Sequence, residues 1–254
     1  MIRQDEILAD LHTHTNFSLH AYSTVKENID EACNKNLQFL AITDHFYGDG
    51  TELQQKNEIT RIKYLQRTLD RSEKRIHILG GAEFNLNQSV PLYYKMRNLS
   101  WKIIGLHSWF VDFPNITLDD VYDMFKKAAK KKVQAFAHIE RELHRVDEEK
   151  HGVIDEDVKK FLRDICDFTK EKDIYLEVNE SSIINNDGGS AERLEYWLSY
   201  AKENGNKICM GTDSHYCLAV GDFTKSLELL NNVDFPKDRI LNCNYDMLIS
   251  LKAN

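Results

Sequence analysis

The chain has 254 residues, 42% of them hydrophobic and 29% charged. That suits a globular protein with a sizeable core and excludes a disordered or fibrous one. A formal net charge of −8 argues against an extended nucleic-acid footprint, which needs clustered Lys and Arg. No charged-then-apolar leader is visible and no apolar run reaches membrane length, so a cytoplasmic protein without a membrane partner is expected. The five cysteines, Cys33, Cys166, Cys209, Cys217 and Cys243, are odd in number and form no C-x-x-C pair. This is neither a disulfide framework nor a thiolate zinc site.

Strand and helix patterns alternate along the chain. A first strand spans Ile7 to Leu11, and Thr24-Val25-Lys26-Glu27 is a capping box opening a helix to about Asn36. Gln38 to Thr43 reads as a buried strand, followed by a charged helix from Asn57 to Ser72. A strand from Ile76 to Phe84 holds a Gly80-Gly81 pair that marks a close approach or a bulge. Lys102 to Leu106 is the next strand, and Thr117 opens a helix ending in Lys130-Lys131-Lys132. A basic last turn complements the helix dipole, so this run is read as capping. Val133 to Ala137 is a strand, 139–154 a long charged loop, and Asp155 to Glu171 a helix. A strand from Ile174 to Val178 precedes a helix that stops at Asn204-Gly205. Lys207 to Gly211 is the last long strand; a helix, an apolar run from Arg239 to Cys243 and a terminal helix follow. Such alternation predicts a parallel α/β fold, and this length is ordinary for one barrel domain.

The chemistry-bearing residues gather at strand ends. In Asp10-Leu11-His12-Thr13-His14 the two imidazoles are two apart in an extended segment and aim at one spot. His45, Glu83, His107, His138 and Asp213 each end, or just follow, a different strand. In a barrel those ends share the rim where active sites are built. With His20 and His215 they make seven His, one Glu and one Asp. That exceeds the needs of a single zinc and suits two or three ions, with Glu83 bridging. Asp44 is expected to orient a ligating imidazole rather than bind metal. His77 is read as a strand residue on the helix-facing side, and His144 and His151 as solvated.

Five segments in order, Asp10 to His14, His20-Ala21-Tyr22-Ser23, Ile42-Thr43-Asp44-His45, Glu83 and Gly211 to His215, resemble the PHP (polymerase and histidinol phosphatase) family. Similarity to its single-domain bacterial YcdX-type phosphatases runs almost end to end. The resemblance implies one domain over 1–254, a distorted (β/α)7 TIM-like barrel with a trinuclear metal centre. Zinc is the usual metal, with manganese or iron as alternatives. It implies that His12, His14, Glu83 and Asp213 hold one ion; Glu83, His107 and His138 a second; His20, His45 and His215 a third. The chain departs from many relatives after the fifth strand, where His138-Ile139-Glu140-Arg141 replaces His-Pro-Gly.

Three divalent ions would outweigh the two ligating carboxylates and draw a phosphate into an otherwise acidic protein. Bound water acidified towards neutrality would be the nucleophile. No G-x-S-x-G and no P-loop is present to suggest another. Arg141 and Arg145 are candidate phosphate contacts, with ion pairing to Glu140, Glu142, Asp147, Glu148 and Glu149 as the alternative. Asn179 is a candidate polar substrate contact or an end-of-strand turn. The expected function is hydrolysis of a small phosphate monoester, with histidinol phosphate as one substrate to consider. The alternatives are a phosphodiesterase or exonuclease acting on a small nucleotide, and a non-catalytic metal-binding module. The sequence leaves a homo-oligomer open.

Overall fold

The computed structural model describes residues 1–46, 52–86, 99–107, 116–130, 132–146 and 154–252. Its strands are β1 (Ala9–Asp10), β2 (Phe39–Ile42), β3 (His45–Phe46), β4 (His77–Asn85), β5 (Trp101–Gly105), β6 (Ala135–Ala137), β7 (Tyr175–Asn179) and β8 (Ile208–Gly211). The helices are α1 (Val25–Asn34), α2 (Glu52–Ser72), α3 (Leu118–Ala129), α4 (Glu156–Lys172), α5 (Glu180–Asn185), α6 (Ser190–Asn204), α7 (Thr224–Asn232) and α8 (Tyr245–Lys252). Every strand pairing is parallel, in the order β1-β2-β4-β5-β6-β7-β8. β3 pairs with β4 beyond the end of β2, so β2 and β3 are two pieces of one stave. The result is a seven-stave, distorted (β/α)7 TIM-like barrel.

Closure between β1 and β8 is irregular. Near the site it runs through a Thr13–Ser214 bridge and the Asp213 N–H donating to the His12 carbonyl at 2.8 Å. Lower down, the buried Asn242 side chain fills the seam. Its Oδ1 accepts from Met210 N–H at 2.7 Å, and its Nδ2 donates to the carbonyls of Ala9 and Met210, both at 2.9 Å. A side-chain amide thus substitutes for ladder bonds that would otherwise leave buried backbone groups unpaired.

Alternation along each strand divides the residues. Leu11, Phe39, Leu79, Trp101, Ile103 and Cys209 fill the barrel, with Leu248 of α8 packed in the same cluster. Phe84, Ile104, Phe136, Val178 and Met210 face the outer helices. His77 shares its strand face with Leu79 and Glu83, and its ring lies 4.9 Å from Phe39 and 6.4 Å from Tyr245. It therefore faces the barrel interior at the end nearer α8, not the helices as the sequence suggested. The Gly80-Gly81 pair is a close approach inside an unbroken strand: a Cβ at Gly81 would sit 2.5 Å from the Trp101 carbonyl oxygen.

Capping chemistry sets the helix starts. Thr24 accepts from Glu27 N–H while Glu27 reaches back to Thr24 N–H, the box expected for α1. Thr117 and Asp120 repeat it at α3. The short α5 was not foreseen; it starts directly at the end of β7, capped by Asn179. Lys131, His151 and the segment 147–153 of the charged loop lie outside the described residues.

Candidate metal centre

All nine expected ligands converge at the C-terminal mouth of the barrel. The innermost four make a compact set. His12 Nε2 lies 3.0 Å from His14 Nε2, 3.4 Å from Glu83 Oε2 and 3.5 Å from Asp213 Oδ1. His14 Nε2 lies 3.4 Å from the same Glu83 oxygen and 3.1 Å from the same Asp213 oxygen. Ligand atoms on a tetrahedral zinc with ordinary bonds are roughly 3.3 Å apart. The two imidazoles are therefore spaced from each carboxylate as ligands on one ion would be, and metal-capable groupings form as His12, His14 and Glu83 and as His12, His138 and Asp213.

Their other atoms are already engaged, which fixes the tautomers. His12 Nδ1 donates to Glu177 Oε1 at 2.7 Å, and His14 Nδ1 donates to the Ser18 hydroxyl at 3.2 Å. Both Nε2 atoms are then bare lone pairs facing each other, an arrangement that only a shared cation or proton relieves. His215 repeats the device: its Nδ1 donates to the Asp213 carbonyl at 2.9 Å, and its buried Nε2 has no hydrogen-bond partner among the described residues.

Glu83 links this set to the next. Its Oε1 lies 2.8 Å from His138 Nε2 and 3.3 Å from His107 Nε2. Gly105 makes the room, since a Cβ there would meet Glu83 Oε1, His107 and His138. His45, level with Glu83 across β3 and β4, puts Nδ1 2.8 Å from Glu83 Oε2 and Nε2 3.3 Å from His20 Nε2. The His20 ring stacks on His215 at 4.4 Å between centroids. His45 thus stands between the Glu83 set and the outer histidines. Metal-capable groupings form both as His14, His45 and His215 and as His45, Glu83 and His107.

The sequence matches the PHP domain family over residues 10–181.

This chain belongs to the PHP domain family.

A probable phosphatase of Clostridium acetobutylicum is 28% identical to this PHP chain, covering 97% of it and 95% of the relative. Among solved structures, histidinol phosphate phosphatase of Lactococcus lactis subsp. lactis, complexed with zinc, L-histidinol and phosphate, superposes with a TM-score of 0.62. It is 19% identical, covering 91% of this chain and 95% of that one. A putative histidinol phosphatase of Listeria monocytogenes gives 0.60 at 15% identity, with coverages of 86% and 99%. A chain in an archaeal ribonuclease P structure with mature tRNA gives 0.55 at 13%, covering 96% and 91%. At these identities the structures share the PHP chain's fold, and the fold alone does not assign chemistry.

Electrostatics within the PHP site separate the histidines. Burial and the nearby Arg141 push His138 down to about 4, and burial with neighbouring imidazoles holds His14 well below its ordinary value. Both are neutral, as metal ligands must be. Burial opposes a charge on His12, but Glu177, Asp213 and Glu83 outweigh it and raise that group well above normal. Burial likewise opposes the charges of Glu83 and Asp213. The surrounding imidazoles, with Arg141 beside Asp213, hold both carboxyls well below the usual range. Asp213 and His138 leave their strands with φ of 55° and 32°, the left-handed region that packed surroundings must impose on such residues.

Four further residues singled out in the sequence have defined partners. Asp44 touches no imidazole directly; it accepts from Ser18 Oγ at 2.8 Å and from Thr15 N–H at 2.7 Å, and reaches His14 through that serine. Asn179 is buried and wholly engaged. Its Oδ1 accepts from Arg141 and Ser182 N–H, and its Nδ2 donates to Glu177 and Asp213, so it holds neighbouring protein groups in place. Arg145 pairs with Glu142 at 3.0 Å, the ion-pairing alternative. His144 is half-buried and donates to the Arg141 carbonyl, so it is not a solvated loop residue.

Arg141 is fixed in the site. Its Nη2 donates to Asp213 Oδ2 at 2.7 Å and to Asn179 Oδ1 at 2.8 Å, and its Nε donates to Ser182 Oγ at 3.2 Å. Glu177 is the functional residue the sequence reading missed. Its signal was an acidic side chain two before Asn179 on one face of an otherwise apolar strand.

Proposed function

We propose that the chain is a metal-dependent phosphoesterase that hydrolyses a small phosphate monoester at the barrel mouth. The observation that carries this reading is the meeting of His12 and His14 Nε2 with each other and with the carboxylates of Glu83 and Asp213, all within 3.5 Å of the two imidazoles. Further ions would be held by Glu83, His107 and His138, and by His20, His45 and His215. When bound, three divalent ions, zinc first and manganese or iron as alternatives, would polarise the phosphoryl oxygens and supply an acidified water.

The protein's own groups do the positioning. Glu177 and Ser18 fix which nitrogens of His12 and His14 are available. Arg141 holds the outer oxygen of Asp213 and adds a fixed positive charge beside the site, which supports it as a phosphate contact. Overall, water adds to phosphorus, the bond from phosphorus to the alcohol oxygen breaks, and the alcohol leaves with a proton from that water. Histidinol phosphate is the first named ester to test, because the Lactococcus lactis neighbour was solved with L-histidinol and phosphate.

The deciding experiment measures metal per chain and phosphate release, for the native protein and for His12→Ala and His45→Ala. About three ions per native chain are expected, fewer in each variant, with hydrolysis abolished by chelation. One ion or none after reconstitution with zinc and manganese would overturn the trinuclear reading. A fully loaded protein that hydrolyses no phosphate ester would favour a binding module instead.

A further inference from the structure

Arg193, on α6, is a guanidinium with no exposed surface. It directs its donors at main-chain carbonyls of two loops. Nε donates to Glu140 at 2.8 Å and Nη1 to Gly188 at 2.7 Å; Nη2 reaches Asp187 at 3.3 Å and Arg141 at 3.5 Å. One turn on, Trp197 Nε1 donates to the Glu140 carboxylate at 3.2 Å. At the head of the same helix, Ser190 Oγ donates to the Ser182 carbonyl at 2.7 Å. Helix α6 thus holds both supports of Arg141: the main chain that carries it, and α5, whose Ser182 Oγ and cap Asn179 receive its guanidinium. The fit is close, since a Cβ on Gly188 would sit 2.3 Å from the His144 ring. Nη1 of Arg141 makes no hydrogen bond among the described residues, so that edge is left for a ligand oxygen.

We propose that Arg193 is a positioning residue: it fixes the main chain at Glu140 and Arg141 so that the Arg141 guanidinium stays beside Asp213, with Nη1 available to a phosphoryl oxygen. This rests on the phosphoesterase reading for what Arg141 meets. A buried guanidinium is costly to desolvate, and an apolar side chain would fill the same volume at less cost. What arginine alone supplies is a rigid planar fork of N–H groups, able to hold carbonyls of two segments at once. Arg141 reaches its own partners through a long side chain. A shift of its main chain by about an ångström would be enough to lose a productive geometry.

The test is a double-mutant cycle on the metal-loaded chain, read as the dissociation constant of inorganic phosphate and as KM for 4-nitrophenyl phosphate. Arg193→Lys keeps the charge but loses the fork. It is expected to weaken phosphate binding and raise KM by about tenfold, with metal per chain unchanged. Added to Arg141→Met, it should weaken binding no further than Arg141→Met alone. Trp197→Phe removes one hydrogen bond from the same frame. It should cost about threefold and be silent in the Arg141→Met background, and it carries the cycle if Arg193→Lys does not fold. Losses equal with and without Arg141, losses that track a loss of metal, or no loss at all overturn the positioning role and leave the phosphoesterase reading standing. A coupled loss of phosphate binding in a protein that hydrolyses no ester keeps the positioning role and overturns the phosphoesterase reading. A loaded protein that neither binds phosphate nor hydrolyses the ester overturns both.

Discussion

Glu177 determines what His12 can do. A carboxylate 2.7 Å from Nδ1 holds the proton there and leaves Nε2 free for a metal. Glu177→Gln keeps the shape but weakens that hold. It should lower metal affinity or activity by roughly ten- to a hundredfold, measured by competition with a chelator; unchanged affinity would mean that Glu177 only packs. Glu140 behaves differently. Its side chain is fully buried, and one oxygen accepts from Trp197 Nε1 at 3.2 Å. Burial raises its carboxyl from 4.5 to about 6. Below pH 4.5 the group is neutral in both folded and unfolded states; above about pH 6 the folded state must bury a charge. Its contribution to stability is therefore lost as pH rises through that window. Glu140→Gln should stabilise the protein by about 2 kcal/mol at pH 7 and by almost nothing near pH 4. Thermal melts at the two pH values check the sign.

At the scale of elements, the seam between β1 and β8 is the weak join, and Asn242 repairs it. Asn242→Leu removes three buried hydrogen bonds and should cost about 3 kcal/mol, read as a lower urea midpoint at constant m. An unchanged midpoint would show that the strands close without it. This scale also shows what the sequence made legible. His12 and His14 could be paired because a strand repeats every two residues, and the strand-end positions of His45, Glu83, His107, His138 and Asp213 follow from alternating strands and helices. The capping boxes at Thr24 and Thr117 are local and were equally readable. Glu177 and Asn242 act on partners far along the chain, and no local spacing announces that. Arg141 was noticed, but its engagement with Asp213 and Asn179 depends on how the loop after β6 folds back. His77 was misplaced because the face of a buried strand cannot be told from its residues when both sides are covered.

For the whole molecule, the site gathers charge that the fold alone does not balance. Glu83, Asp213 and Glu177 crowd His12, with Arg141 as the fixed cation among their described contacts. Ligands bound only by the folded state stabilise it by mass action. Removing metal with a chelator should therefore lower the melting temperature by about 10 °C, and re-addition of zinc or manganese should restore it. A melt indifferent to chelation would count against tight metal binding.

The Asn242 wedge also sets an order of events during synthesis. His12 and His14 emerge early, whereas Asp213, His215 and the amide that joins their strand to β1 are made some two hundred residues later. Until residues 213 and 214 are made, the bridge that joins the two halves at the mouth has no partner, and until residue 242 is made the lower seam lacks its amide. A metal site drawing on both His12 and Asp213 would thus be completed only when the barrel has found both ends.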